Sequence, residues 1–268
     1  MILNKLKFKY LLLEGVDPKI VVLKISRQES LNALNSAVLS EMKEILSALA
    51  SDPDVRVVVL TGAGDKAFIA GADIAEMKDK SATEAVRFAQ LGHDVAKLLE
   101  LMPKPTIAAV NGYALGGGTE MALACDFILA NEKAVFGQPE VGLGVIPGFG
   151  ATFRLPKFIG LPRAKELIYS GKKISAKEAL SFGLVNRVLP IEGFMQSVLE
   201  IARSISMQSA SAVARAKQLL NEFSETAGLN SKLDGEVQAF GQLFCSYDQK
   251  EGMNAFLEKR KPIFQGQI

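Results

Sequence analysis

A chain of 268 residues, 49% hydrophobic and 22% charged, holds enough apolar material for one large domain or for a core with a smaller appendage. That balance excludes disordered and collagen-like classes. The 31 basic and 29 acidic side chains leave a formal charge of +2, too even for a protein built around nucleic acid or acidic lipid.

The only cysteines, Cys125 and Cys245, lie far apart and form neither a disulfide framework nor a CxxC site, which points to a reducing, intracellular compartment. The N-terminal MILNKLKFKYLLLEG sets Lys5, Lys7 and Lys9 ahead of only three leucines, too short an apolar run for a secretory signal, and its alternation predicts a strand. No apolar run approaches the ~18 residues of a membrane span, and Asp126 breaks the best one. A cytoplasmic location without a membrane partner is the expectation.

In chain order, KYLLLE and KIVVLKIS read as strands, and residues 35–50 carry a helical period with Asn35 or Ser36 as its cap. VRVVVLTG reads as a buried strand. Residues 62–77 read as a polar, glycine-bearing loop, with a helix start at Asp73. A helix from about Ala82 to Leu101 follows, then TIAAVNGYA as a single strand. DFILA and AVFG read as short strands, and residues 142–150 as a turn-rich loop leading into ATFRLPKFIG. From about Glu192 the segments FMQSVLEIARSIS, SAVARAKQLLNEFSE, LNSKLDGEVQAFGQLFCS and KEGMNAFLEKRK all read as helices. The expected architecture is an α/β core over residues 1–195 and a helical region over 196–268 that packs on the core or on a neighbouring subunit. The early strand-strand-helix order hints at a repeating unit, although no repeat signature stands out.

Several motifs bear on chemistry. GAGDKA at 62–67 matches the dinucleotide pattern GxGxxA, but no helix opens inside it, so it reads as an ordinary glycine turn. His93 is the only histidine. Hydrolase triads need a base, and metal sites often need several histidines, so no metal site is expected and any catalysis falls to carboxylates and backbone donors. In NGYALGGGTEMALACD, three glycines open into a strong helix former with Glu120 one turn inside. Unpaired N–H groups at a helix start suit a developing oxyanion, and tight packing of helix on sheet explains the glycines equally well. AFIAGADIAE holds a second small-residue turn, which could supply another amide donor. Glu140 stands among apolar residues and glycines, a setting that raises proton affinity and suits acid/base work, though such glutamates are often only salt-bridged.

Taken together, the segments LNAL (31–34), KAFIAGADIAEM (66–77), VNGYALGGGTEMALACD (110–126), FGQPEVGLGVIPGFGATFRL (136–155), AKEALSFGLVNRV (176–188) and EGMNAFLEKRKPIF (251–264) resemble the crotonase superfamily, in particular its short-chain enoyl-CoA hydratases. The resemblance implies a spiral of β-β-α units with a helical C-terminal region, assembled as a trimer or a dimer of trimers. It implies that the amides of Ala72 and Gly117 hold a thioester oxygen, that Glu120 handles water and Glu140 the C2 proton, and that Gly148 lies beside the water. It further implies coenzyme A contacts at Ser30, Ala70, Ala72, Asp73 and Ile74, with Phe256 and Lys259 reaching a neighbouring subunit's ligand. Coenzyme A belongs to the substrate, an acyl-CoA thioester, so no separate cofactor is expected. Family isomerases, and noncatalytic acyl-CoA or RNA-binding members, are the alternatives. The chain departs from the family pattern at Ala151 and Phe153, where glycine and a polar residue are usual, and at Gln28 and Glu29 before LNAL.

Overall fold

The computed structural model describes residues 7–222 and 229–266. The start of the N-terminal strand expectation and the end of the helix expected at 211–225 lie outside the described residues.

The strands β1 (Leu11–Asp17) and β2 (Ile20–Ile25) pair antiparallel, and α1 (Ser36–Ser51) follows. Asn35 caps α1 by accepting the Val38 N–H at 2.8 Å. Next come β3 (Val57–Gly62), β4 (Ala67–Ile69), the short α2 (Ile74–Met77) and α3 (Ala82–Leu101), which opens on a Ser81–Glu84 capping box. Two strands, β5 (Thr106–Val110) and β6 (Tyr113–Leu115), lead to α4 (Gly117–Ala124), and β7 (Phe127–Asn131) and β8 (Val135–Gly137) lead to α5 (Ala151–Ile159). The remainder is α6 (Leu161–Ser170), β9 (Lys173–Ser175), α7 (Ala176–Phe182), β10 (Arg187–Leu189), α8 (Phe194–Ser206), α9 (Ala210–Glu222), α10 (Leu229–Leu243) and α11 (Tyr247–Leu257).

From β3 to β8 successive strands alternate between two sheets. One has the order β1-β2-β3-β5-β7-β10, parallel except for β1, and the other β4-β6-β8-β9, parallel except for β9. Each of the pairs β3/β4, β5/β6 and β7/β8 therefore gives its first strand to the large sheet and its second to the small one, so each unit advances the spiral by one strand in both layers. The large sheet is buried on both faces, as near-continuous runs such as VVVL require. Val21, Leu23 and Leu60 face the main core, while Ile20, Val22 and Val57 face Phe194, Val198 and Ala202 of α8. Helix α8 thus straddles residue 195 and packs on the sheet. Helix α9 is tied down by Lys217, whose Nζ donates to the carbonyls of Leu99 and Lys104 and to Asp126 at 2.9–3.1 Å. Among the described residues, no helix is long and apolar enough to cross a membrane.

Three expectations need correction. TIAAVNGYA is two strands in different sheets. Its break falls where Asn111 Nδ2 donates to the carbonyls of Gly62 and Gly64, and a Cβ on Gly112 would lie 2.2 Å from the Lys66 carbonyl oxygen. The loop at 62–77 contains β4, which is only three residues long and has no room to show a period. For the same reason β9 and β10 escaped notice among their flanking helices.

Candidate active site

The three glycines before α4 answer to three different constraints. Gly116 has φ 50° and ψ −121°, and a Cβ there would lie 2.7 Å from Glu140 Oε1. A Cβ on Gly117 would press on the Phe149 ring at 3.0 Å. A Cβ on Gly118 would fall 1.9 Å from the Ile69 carbonyl oxygen, so only glycine lets α4 lie directly on β4. Packing thus accounts for part of the glycine run. Gly117 itself opens the helix, where an N–H has no intrahelical acceptor and sits at the positive end of the dipole. The turn is fixed on both sides: Gly116 N–H donates to the Gly137 carbonyl at 2.9 Å, and the Thr119 hydroxyl donates to the Ala114 carbonyl at 2.6 Å.

The second small-residue turn is zipped to LNAL. Ala70 N–H donates to the Leu31 carbonyl, Leu34 N–H to the Gly71 carbonyl, and Asp73 N–H to the Leu34 carbonyl, at 2.8–3.1 Å. In a parallel bridge of this kind the flanking residues take the bonds, which turns the N–H of Ala72 to the opposite side. Strand β4 pairs with β6, which runs into α4, and a Cβ on Gly71 would lie 3.4 Å from the Leu115 carbonyl oxygen. The turns of Ala72 and Gly117 are therefore neighbours. Asp73 holds the first in place: Oδ1 caps α2 through Ala75 and Glu76, and Oδ2 pairs with Arg27 at 2.9 Å.

Two carboxyl groups meet at the mouth of α4. Glu120, 2% exposed, projects from the helix, and its Oε1 accepts the N–H of Phe149 at 2.8 Å and of Ala151 at 2.9 Å. Burial raises its proton affinity, while the N–H groups of Ala151, Phe149 and Gly150 and the charge of Arg154 pull it back. Glu140 opens a 3₁₀ turn after β8 and packs its carboxylate against Gly116. Burial chiefly pushes it up to about 7; its own backbone N–H opposes the shift and the charge of Glu120 adds to it. With its amide nitrogen turned to the carboxylate, buried Gln138 donates to both Glu140 oxygens at 2.9 and 3.0 Å, which favours the ionised form.

Ser30 ends a 3₁₀ turn beside the Leu31–Ala70 bond, and Ala70, Ala72, Asp73 and exposed Ile74 belong to the small-residue turn zipped to it. Gly148 is surrounded by open space, since a Cβ would meet no atom within 4 Å. Phe256, 82% exposed, and Lys259 lie at the end of α11. The segment after them is tied to the core where Arg56, just before β3 starts, donates to the Phe264 carbonyl. Cavities of about 570 Å³ between α3, α9 and α10, and about 410 Å³ at the C-terminal ends of the parallel strands, include neither carboxylate. The grouping of donors and acids, rather than empty volume, marks the site. Sequence reasoning passed over Gln138, Phe149, Arg154 and Glu100; only QPE gave a local signal for one of them.

The fold is the crotonase-like β-β-α spiral with a helical C-terminal region. The sequence model of the enoyl-CoA hydratase/isomerase family matches residues 16–267, and the chain belongs to that family. It is 49% identical over 248 residues to a crotonyl-CoA hydratase of Syntrophomonas wolfei, covering 92% of this chain and 95% of that protein. It is 47% identical to a short-chain-enoyl-CoA hydratase of Clostridium acetobutylicum, covering 91% and 94%. The crystal structure of an enoyl-CoA hydratase from Bacillus anthracis superposes with a TM-score of 0.93 at 40% identity, covering 97% of this chain and all of that one.

Proposed function

We propose that the protein is a hydro-lyase that adds water reversibly and syn across the double bond of a short-chain trans-2-enoyl-CoA, giving the 3-hydroxyacyl-CoA. The observation that carries this reading is the meeting of Glu120 and Glu140 at the glycine mouth of α4, beside the turn of Ala72. In the proposed step the water oxygen bonds to C3 as one of its protons passes to Glu120, the electrons of the double bond move towards the thioester oxygen, and on their return C2 takes a proton from Glu140; net transfer of a proton from Glu120 to Glu140 restores the pair. Charge develops on the thioester oxygen, where the amides of Ala72 and Gly117 would meet it, each donor contributing ~3 kcal/mol. Glu120, pinned through one oxygen, would orient and activate the water with the other. Glu140, with its affinity near neutrality, would exchange the C2 proton.

Coenzyme A enters as part of the substrate, with Ser30, Ala70, Asp73 and Ile74 along its path and Gly148 leaving space beside the water. The names of the Syntrophomonas and Clostridium relatives support the short acyl chain. The exposure of Phe256 and Lys259 supports contact with the ligand of a neighbouring subunit in a trimer or a dimer of trimers. We place the protein in the cytoplasm, in fatty-acid metabolism, with residues 1–195 as the catalytic core and 196–268 as the assembling region.

Purified protein is expected to consume the enoyl-thioester absorbance of crotonyl-CoA; no loss of absorbance sinks the hydratase reading. The matched family's description also covers isomerases, and labelled water separates the two. Label entering the product marks hydration, and a shifted double bond without label marks isomerisation.

A further inference from the structure

Arg154 is 6% exposed, lies in α5, and carries no role in the mechanism above. Its Nε and Nη2 donate to Glu100 Oε2 at 3.2 and 2.6 Å, and its Nη1 donates to the Phe149 carbonyl at 3.0 Å. The same short turn, Phe149 to Ala151, sends two N–H groups to Glu120 Oε1. Gly150, at its centre, has φ 115°, and a Cβ there would lie 2.3 Å from Arg154 Nη1. The guanidinium therefore grips the turn from behind while the turn grips the carboxylate in front.

We propose that Arg154 is a positioning residue for the reaction: it locks the Phe149–Ala151 turn that orients Glu120, and Glu100 holds Arg154 in that pose. The rate consequences rest on the hydratase reading; the geometric claim does not. A planar fork suits this task because its rigid geometry fixes the angle between the carboxylate and the carbonyl it holds, whereas a lysine ammonium on a flexible stem rotates freely.

Arg154 also supplies the positive charge that Glu120 faces. Against it stand Glu140, from the turn after β8, and Glu100, from α3. His93, also on α3, lies near Gly150 and feels Arg154, Lys97 and Asp94. The strands β4 to β7 carry no charged side chain within their spans. Without Arg154 the Glu120 carboxyl holds its proton to higher pH, so a reaction that needs it ionised loses its acidic limb upward.

The test begins with Arg154→Gln assayed on crotonyl-CoA. A fall in kcat of about 10-fold or more with KM within about threefold is expected, because small displacements of a reacting group are costly in rate. The acidic limb of the pH profile should move up, and should still move in a His93→Gln background. Arg154→Lys should recover the limb more than the rate. Glu100→Gln, which keeps the guanidinium charge, should lower kcat without moving the limb up, and it decides the rate claim alone if Arg154→Gln fails to fold. An unchanged kcat in folded Arg154→Gln or in Glu100→Gln overturns the proposal, as does a fixed limb in Arg154→Gln. A crystal structure of a folded Arg154 or Glu100 variant reads the geometry without substrate: loss of a bond from Phe149 or Ala151 to Glu120 is expected, and retention of both contradicts it. A wild-type chain inert on crotonyl-CoA defeats the hydratase reading but leaves that structural test standing.

Discussion

The two carboxylates of the site are held in opposite ways. Glu120 projects from a buried helix and has one oxygen fixed by two backbone N–H groups, with Arg154 behind them. Glu140 starts a 3₁₀ turn within a glycine-rich loop whose Leu143, Val145 and Ile146 are exposed, and its partner is the single amide of Gln138. The first environment fixes direction at the cost of burial, and backbone donors compensate for that burial. The second leaves proton affinity near neutrality, which suits a group that must gain and lose a proton in each turnover. Under the proposed mechanism, orientation falls to a helix and proton exchange to a loop.

The largest test of that division removes each ionisable group in turn. Glu140→Gln and Glu120→Gln should each lower kcat for crotonyl-CoA by ~100-fold or more, the usual contribution of a positioned acid or base. Next comes Gly116→Ala, which forces a Cβ into a positive-φ site and against Glu140 Oε1. It should cost ~1–3 kcal/mol in a urea titration and displace the loop carboxylate, lowering kcat while leaving the Glu120 bonds intact.

A smaller effect concerns pH. With Glu140 near 7, the protonated fraction falls as pH rises through that value. Hydration, which draws a C2 proton from it, should lose rate above about pH 7, and dehydration, which needs the ionised form, should lose rate below it. Both limbs should vanish in Glu140→Gln. The smallest effect is at Gly148, where open space and an ordinary φ leave stability within ~0.5 kcal/mol of the parent for Gly148→Ala. A rise in KM there would show substrate using the space.

Much of the architecture was legible because its signals are local. The sequence predicts α3 from about Ala82 to Leu101, which is its span, and α1 over residues 35–50 with Asn35 or Ser36 as its cap, of which Asn35 is the one used. The glycine run and Glu120 were visible as a conflict between breaker and former. The reason for each glycine was not, because Ile69, Phe149 and Glu140 press on them from distant parts of the chain. Arg154 and Glu100, 54 residues apart, carry no pattern that links them. Likewise β4, β9 and β10, three residues each, owe their pairing to neighbours in the small and large sheets rather than to their own sequence.

The central claim is that Glu120 and Glu140 act as a pair in one hydration step, Glu120 on the water and Glu140 on the C2 proton. Its most direct test is crotonyl-CoA turnover by Glu120→Gln, Glu140→Gln and the double variant, compared as a cycle. Acting as a unit, the pair predicts that the double variant loses little more than the worse single one, within about tenfold. Losses that simply multiply, or near-normal turnover in either single variant, would contradict the account.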